Sequence, residues 1–271
     1  MIDRPLLLVG CGKMGGAMLE GWLEMGLVPE QIHIIEPCAP IAEELRSRSL
    51  SAVVAQPELP ADLDPEIVLF AVKPQSMDEA APALAEYRSP NTTFLSIAAG
   101  KTISYFENIL GAEAAIVRSM PNTPAAVRRG ITVATPNTNV TEAQCKICGN
   151  LLEAVGEVAW VDEERLIDAV TALSGGGPAY VFLLTECMTQ AGIDAGLPAE
   201  LSAQLARVTV SGAGELMRQS DEAPSNLREN VTSPGGTTAE SLKVLMADDG
   251  WQPLITRAIA AATARSRELA G

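Results

Sequence analysis

The stretch Leu6-Leu7-Leu8-Val9-Gly10-Cys11-Gly12-Lys13-Met14-Gly15-Gly16 sets a short apolar run against G-x-G-x-x-G and then opens into helical spacing. Few folds use that order. A strand leading into a helix through three spaced glycines fits a dinucleotide cradle. The first glycine makes a tight turn, the second lets backbone approach a pyrophosphate at the positive helix end, and the third permits close helix-to-strand packing. Glycines also gather in ordinary turns, so the pattern takes its weight from its setting. It nominates Gly10, Gly12, Lys13, Met14 and Gly15 as cofactor-binding residues.

The text that follows alternates. Residues 5–9, 32–35, 67–72, 93–97, 114–118 and 131–134 read as strands, and residues 14–25, 42–47, 77–84 and 142–155 as helices. Alternation of this kind predicts a mostly parallel sheet with helices on both faces, whose ligands bind at the carboxyl ends of the strands. Glu36 closes the second strand about 20 residues beyond the glycines, where an acid can accept hydrogen bonds from an adenosine ribose. Its charge opposes a 2′-phosphate and Pro37-Cys38-Ala39-Pro40 offers no cation, so the expected cofactor leans to NADH, with NADPH still open. Ala71-Val72-Lys73-Pro74 ends the strongest apolar run; Lys73 is there either a cation for the cofactor or a plain surface lysine. Ala98-Ala99-Gly100 ends the next strand with side chains small enough for a ligand to lie on backbone. Met120-Pro121-Asn122-Thr123-Pro124 is a proline-stiffened loop that could present the Asn122 amide to a ligand.

Beyond Trp160 the apolar residues recur at three and four and alanine becomes abundant, which places a boundary near Asp162 and makes the remainder helical. Three glycines before Pro178 predict a kink in that helical text. The chain of 271 residues is 47% hydrophobic and 20% charged, as a globular protein requires. No uninterrupted apolar run reaches the roughly 18 residues of a membrane helix, and the amino end leads into the glycine turn without a cleavage-site pattern. A cytoplasmic protein without a membrane partner is expected. With 19 basic against 34 acidic residues and a net charge of −15, nucleic acid is not an expected partner either. The five cysteines are scattered and odd in number. Cys145-Lys146-Ile147-Cys148 has no second pair beside it and the chain has one histidine, so a helical cysteine pair is expected and no metal site.

VTSPGGTTAE, residues 231–240, crowds hydroxyls and two glycines into a helix start, which is more than a cap needs. Taken in order, VGCGKMGG, AVKPQ, SIAAG, RSMPNTP, ALSGGGPAY and NVTSPGGTT resemble the pyrroline-5-carboxylate reductases of proline biosynthesis, and the likeness runs nearly end to end. The glycine fingerprint is widespread; MPNTP, GPAY and TSPGGTT are more specific. The resemblance implies an α/β Rossmann-like amino-terminal domain, residues 1–162, and an all-helical carboxyl-terminal domain, residues 163–271, for substrate binding and dimerisation. It implies NAD(P)H as cofactor, a small cyclic imine acid as substrate and a homodimer or an oligomer of dimers. It also implies that residues 233–238 hold substrate and that Thr238 is the polar group nearest the imine. One departure is Gly176, where many relatives carry serine.

A substrate carboxylate in so acidic a protein needs donors that are not formal cations. Backbone N–H groups at Gly235, Gly236 and Thr237, hydroxyls of Ser233 and Thr238, and the positive end of the following helix are the candidates. Two alternatives remain: another Rossmann-plus-helices reductase, such as an imine reductase or a β-hydroxyacid dehydrogenase, and a nucleotide-binding regulator without turnover. The dehydrogenases place a catalytic lysine in the second domain, where Lys243 is the one lysine after Lys146.

Overall fold

β1 (Leu6–Val9) and β4 (Ile67–Phe70) are buried at every position, so these strands read as unbroken apolar runs because helices cover both faces of the sheet. The computed structural model describes residues 2–55 and 58–270. Alternate side chains of β1 enter two separate cores. Leu6 and Leu8 join Met18 and Trp22 of α1 (Lys13–Glu24) on one face, while Leu7 and Val9 join Phe70 and the α4 (Ile103–Leu110) residue Phe106 on the other. The Phe70 and Phe106 rings stack at 5.3 Å between centroids. The Trp22 indole is fully buried and donates to the Leu151 carbonyl at 2.8 Å. Truncation there to alanine would cost about 3–5 kcal/mol.

The remaining strands are β2 (Ile32–Ile35), β3 (Ser51–Val53), β5 (Thr93–Ser96), β6 (Ala115–Met120), β7 (Gly130–Pro136) and β8 (Gly156–Trp160). They form one eight-stranded sheet in the order β3-β2-β1-β4-β5-β6-β7-β8. All neighbours are parallel except β6 and β7. The order reverses between β1 and β4, so the crevice that open sheets use for ligands lies at the carboxyl ends of those two strands. Periodicity does not reveal β3, three residues long at an edge, nor β8, and it passes over the helix α4. Between strands run α2 (Ala39–Ser47), α3 (Met77–Ala80) and α5 (Glu142–Leu152). α3 stops short of the expected 77–84 because Pro82 cannot continue its hydrogen bonding, and a 3₁₀ turn takes over from Pro82 to Tyr87. α5 begins with a reciprocal capping box between Thr141 and Gln144.

After β8 the chain is helical: α6 (Leu166–Val170), a π-helical turn at Thr171–Gly175, α7 (Gly177–Asp194), α8 (Ala199–Gln219), α9 (Pro224–Asn230), α10 (Thr237–Leu245) and α11 (Trp251–Ala270). The glycines before Pro178 do interrupt the helix, with the π turn and a bend at Gly176. The chain divides into two compact units, Met1–Gly175 with Ala262–Gly271 and Gly176–Ala261. Asp162 marks the end of the strand texture; compactness divides the chain later because polar pins hold α6 within the first unit. Glu164 Oε1 accepts from Arg118 at 2.7 Å and from the Ile103 N–H at 2.8 Å, and Ser266 donates to the buried Asp168 at 2.7 Å.

In the second unit α7 and α8 pack closely where Gly192 meets Ser202; a β-carbon on Gly192 would lie 2.2 Å from the Ser202 hydroxyl. Phe182, Leu183, Val208, Leu216 and Val244 are exposed on this unit. By length and composition alone the run Leu166–Asp194 meets the requirement of a bilayer span, and 17% of its most apolar window is buried. A search for uninterrupted apolar residues passes over it because serine, threonine and glycine punctuate the run.

Candidate active site

The three glycines of the turn differ in their surroundings. Gly10 sits at φ +91°, and an added β-carbon would lie 2.8 Å from Val72 Cγ1. Gly15 abuts the turn itself, its would-be β-carbon 2.3 Å from the Gly10 carbonyl oxygen. Gly12 between them meets nothing within 4 Å. Two glycines are thus required by packing, while the space beside Gly12 is open. α1 begins at Gly12 with no side-chain cap and no acid in its first turn. Its amino-terminal N–H groups therefore face no carboxylate of their own helix, and the exposed Lys13 adds a positive charge. Met14 turns inward and packs on the core.

Parallel pairing carries the other nominated loops to the same edge. Ala71 follows β4 and donates its N–H to the Val9 carbonyl at 2.8 Å, so Ala71 and Val72 lie beside the glycine turn. Lys73 is exposed and makes no ion pair among the described residues, and Pro74 opens a 3₁₀ turn. Ala98 is buried, Ala99 exposed, and Gly100 takes φ +73°. A bridge absent from the sequence reading joins these two loops. Lys101 donates to Asp78 at 3.1 Å and lies over the Tyr105 ring, whose hydroxyl also donates to Asp78. The Tyr105 hydroxyl and then Lys101 hold the Asp78 carboxyl below the usual carboxylate range. Burial, reinforced by Asp78, pushes the tyrosine hydroxyl up.

Glu36 ends β2 only 7% exposed. Its Oε2 accepts the Cys11 N–H at 2.7 Å and its Oε1 the Cys38 N–H at 2.8 Å. The carboxylate therefore braces the glycine turn, and each oxygen retains a lone pair for a further donor. Burial first, then the charge of Glu36, raises the Cys11 thiol to about 11. Asn122 lies beyond β6 with its amide engaged at both ends, accepting from the Ile131 N–H at 3.0 Å and donating to the Ser174 carbonyl at 3.3 Å. Arg118, within the RSMPNTP motif yet given no role from sequence, is 3% exposed and pairs with Glu164. Its only sequence signal is a cation inside an otherwise apolar strand.

Ser233, Gly235, Gly236, Thr237 and Thr238 come together at the start of α10 in the second unit. Gly235 takes φ +71° with open space around it, and the Gly236 N–H closes a turn onto the Ser233 carbonyl at 3.0 Å. Despite the hydroxyls around it, α10 has no side-chain cap. Ser233, Thr237 and Thr238 are exposed and their hydroxyls make no hydrogen bond among the described residues, while Thr232 spends its own on the Arg228 carbonyl. Lys243 is paired with Glu240 at 2.6 Å on the exposed face of α10.

Comparison with known proteins draws the two halves together. Residues 164–269 match the family model of pyrroline-5-carboxylate reductase dimerisation, and residues 6–100 match that of the coenzyme F420-dependent NADP oxidoreductases. The chain is 40% identical to the pyrroline-5-carboxylate reductase of Pseudomonas aeruginosa, over 100% of this chain and 98% of that one. The solved structure of a pyrroline-5-carboxylate reductase from Coxiella burnetii superposes with a TM-score of 0.92 at 31% identity, covering all of both chains. The Plasmodium falciparum pyrroline carboxylate reductase, solved with NADP bound, gives 0.82 at 30% identity, again over both full lengths. The chain belongs to the pyrroline-5-carboxylate reductase family.

Proposed function

We propose that this protein reduces 1-pyrroline-5-carboxylate to L-proline with NAD(P)H, the final step of proline biosynthesis, and that it favours NADH. The observation that carries the substrate assignment is the start of α10, where four nearby hydroxyl residues leave the helix uncapped and Gly235 takes a conformation that side chains resist. Such a start keeps N–H donors for an outside acceptor. It suits a carboxylate in a protein of charge −15, because the donors carry no formal charge to be neutralised by acidic neighbours.

When bound, a reduced nicotinamide would supply a hydride to the carbon of the protonated C=N bond, whose π electrons then become the lone pair of the neutral amine. The residues of this chain bind and orient. Gly10, Gly12, Lys13, Met14 and Gly15 take the pyrophosphate, Ala71, Val72, Lys73, Pro74 and the run 98–100 the remainder of the nucleotide, and Glu36 the adenosine ribose. Ser233, Gly235, Gly236 and Thr237 hold the carboxylate. Thr238 places its hydroxyl on the ring nitrogen and is the catalytic residue. The cofactor falls within residues 1–162, and residues 163–271 serve substrate and self-association in the cytoplasm, without nucleic acid or membrane. Exposed Phe182, Leu183 and Val208 supply apolar surface for a second copy. The preference for NADH rests on Glu36, which would repel a 2′-phosphate. Lys243 is committed to Glu240, which disfavours the hydroxyacid dehydrogenase reading.

The test is to mix purified protein with pyrroline-5-carboxylate and follow loss of reduced nicotinamide absorbance with NADH and NADPH in parallel, assaying proline. Proline formed stoichiometrically with oxidised nucleotide, faster with NADH, is the expected result. Nucleotide binding without consumption would leave only the regulator.

A further inference from the structure

The Asn122 amide is committed to the protein rather than to open space, and its partners explain why. Oδ1 accepts the Ile131 N–H at the head of β7, and Nδ2 donates to the Ser174 carbonyl in the π turn. That carbonyl lacks its ordinary partner for a covalent reason. In a continuing α-helix it would accept from residue 178, which is proline and has no N–H. The next candidate is Ala179, whose N–H goes instead to the Gly176 carbonyl at 3.0 Å. Ser174 cannot help itself, because its hydroxyl donates to the Val170 carbonyl at 3.1 Å. The same loop and turn also meet at Gly175, whose would-be β-carbon lies 2.6 Å from Met120 Cε.

We propose that Asn122 is a positioning residue, supplying to Ser174 the hydrogen bond that Pro178 cannot give and thereby fixing the Met120–Pro124 loop and the Thr171–Gly175 turn as one piece. The loop follows β6 on the ligand-binding edge of the sheet, and the turn is where the chain leaves that unit. For its kinetic consequence this rests on the reductase reading. Its structural consequence does not.

Asn122→Asp keeps an oxygen for the Ile131 N–H and removes the donor to Ser174. Hydrogen–deuterium exchange over residues 171–180 should then quicken, with kcat for imine reduction down about fivefold to tenfold, the scale of one hydrogen bond. The nucleotide Kd should stay within about twofold. Adding Pro178→Ala restores a backbone donor, and the double variant should recover at least about half of the lost kcat on a logarithmic scale. Unchanged exchange in Asn122→Asp, a raised nucleotide Kd, or no recovery in the double variant would each overturn the proposal. Pro178→Ala alone guards against a variant that fails to fold. Its new amide exchanges slowly if the Ser174 carbonyl takes it, and fast exchange refutes the argument. Because exchange is read without substrate, loss of the reductase reading would not be confused with loss of this one.

Discussion

Gly12→Ala separates a glycine kept for a ligand from a glycine kept for the fold. The backbone there has φ −71° and ψ −159°, which alanine adopts without strain, and nothing lies within 4 Å of the added methyl. Alanine is a poorer helix N-cap than glycine, so the protein without nucleotide should lose no more than about 1 kcal/mol. A bound pyrophosphate would meet that methyl and lose one or more charge-assisted N–H contacts, each worth about 1.5–3 kcal/mol. The nucleotide Kd should therefore rise by about tenfold to a hundredfold. Titration by nicotinamide fluorescence gives the Kd, and urea unfolding without nucleotide gives the stability. Gly15→Ala is the contrast: its β-carbon would lie 2.3 Å from the Gly10 carbonyl, so the fold itself should lose about 1–3 kcal/mol. A Gly12→Ala protein whose Kd stays within about twofold would refute the placement of the pyrophosphate, whatever its stability.

Thr238→Ala removes a hydroxyl that makes no hydrogen bond among the described residues, so unfolding should shift by less than about 0.5 kcal/mol while kcat falls far more than nucleotide affinity; steady-state kinetics beside nucleotide titration read both. Gly235→Val forces a β-branched residue to φ +71° and should raise KM for the imine; an unchanged KM would place the carboxylate elsewhere. At Glu36 glutamine is a better probe than alanine, because alanine would strand the Cys11 and Cys38 N–H groups. Glu36→Gln should narrow the ratio of NADH to NADPH kcat/KM, and a wild-type enzyme that already prefers NADPH would remove Glu36 from selectivity. Arg118→Ala leaves Glu164 short of its partner beneath the α6 segment and should cost about 3 kcal/mol by urea unfolding, on the scale of broken buried ion pairs.

Much of the glycine turn was legible because its physics is local. A turn that needs positive φ and a helix that must pack close are written as glycines a few residues apart, and Gly10 and Gly15 fill those two roles. The apolar runs of β1 and β4 likewise announce strands buried on both faces. β3 was not legible, since three residues at an edge carry no pattern, and the true end of α3 lay in Pro82.

By itself the sequence determined six of the eight strands and most of the helices around them, where the glycine turn falls, and that two textures meet near Asp162. Tertiary structure decided what each polar group in those segments does. Glu36 faces the Cys11 N–H only because parallel pairing sets the end of β2 beside β1, and Asn122 reaches Ser174 only because the chain returns past β6 after completing β8. The reason lies in range: dihedral preference and periodicity act over a few residues, whereas the partner of a buried carboxylate or amide is chosen by sheet order across tens of them.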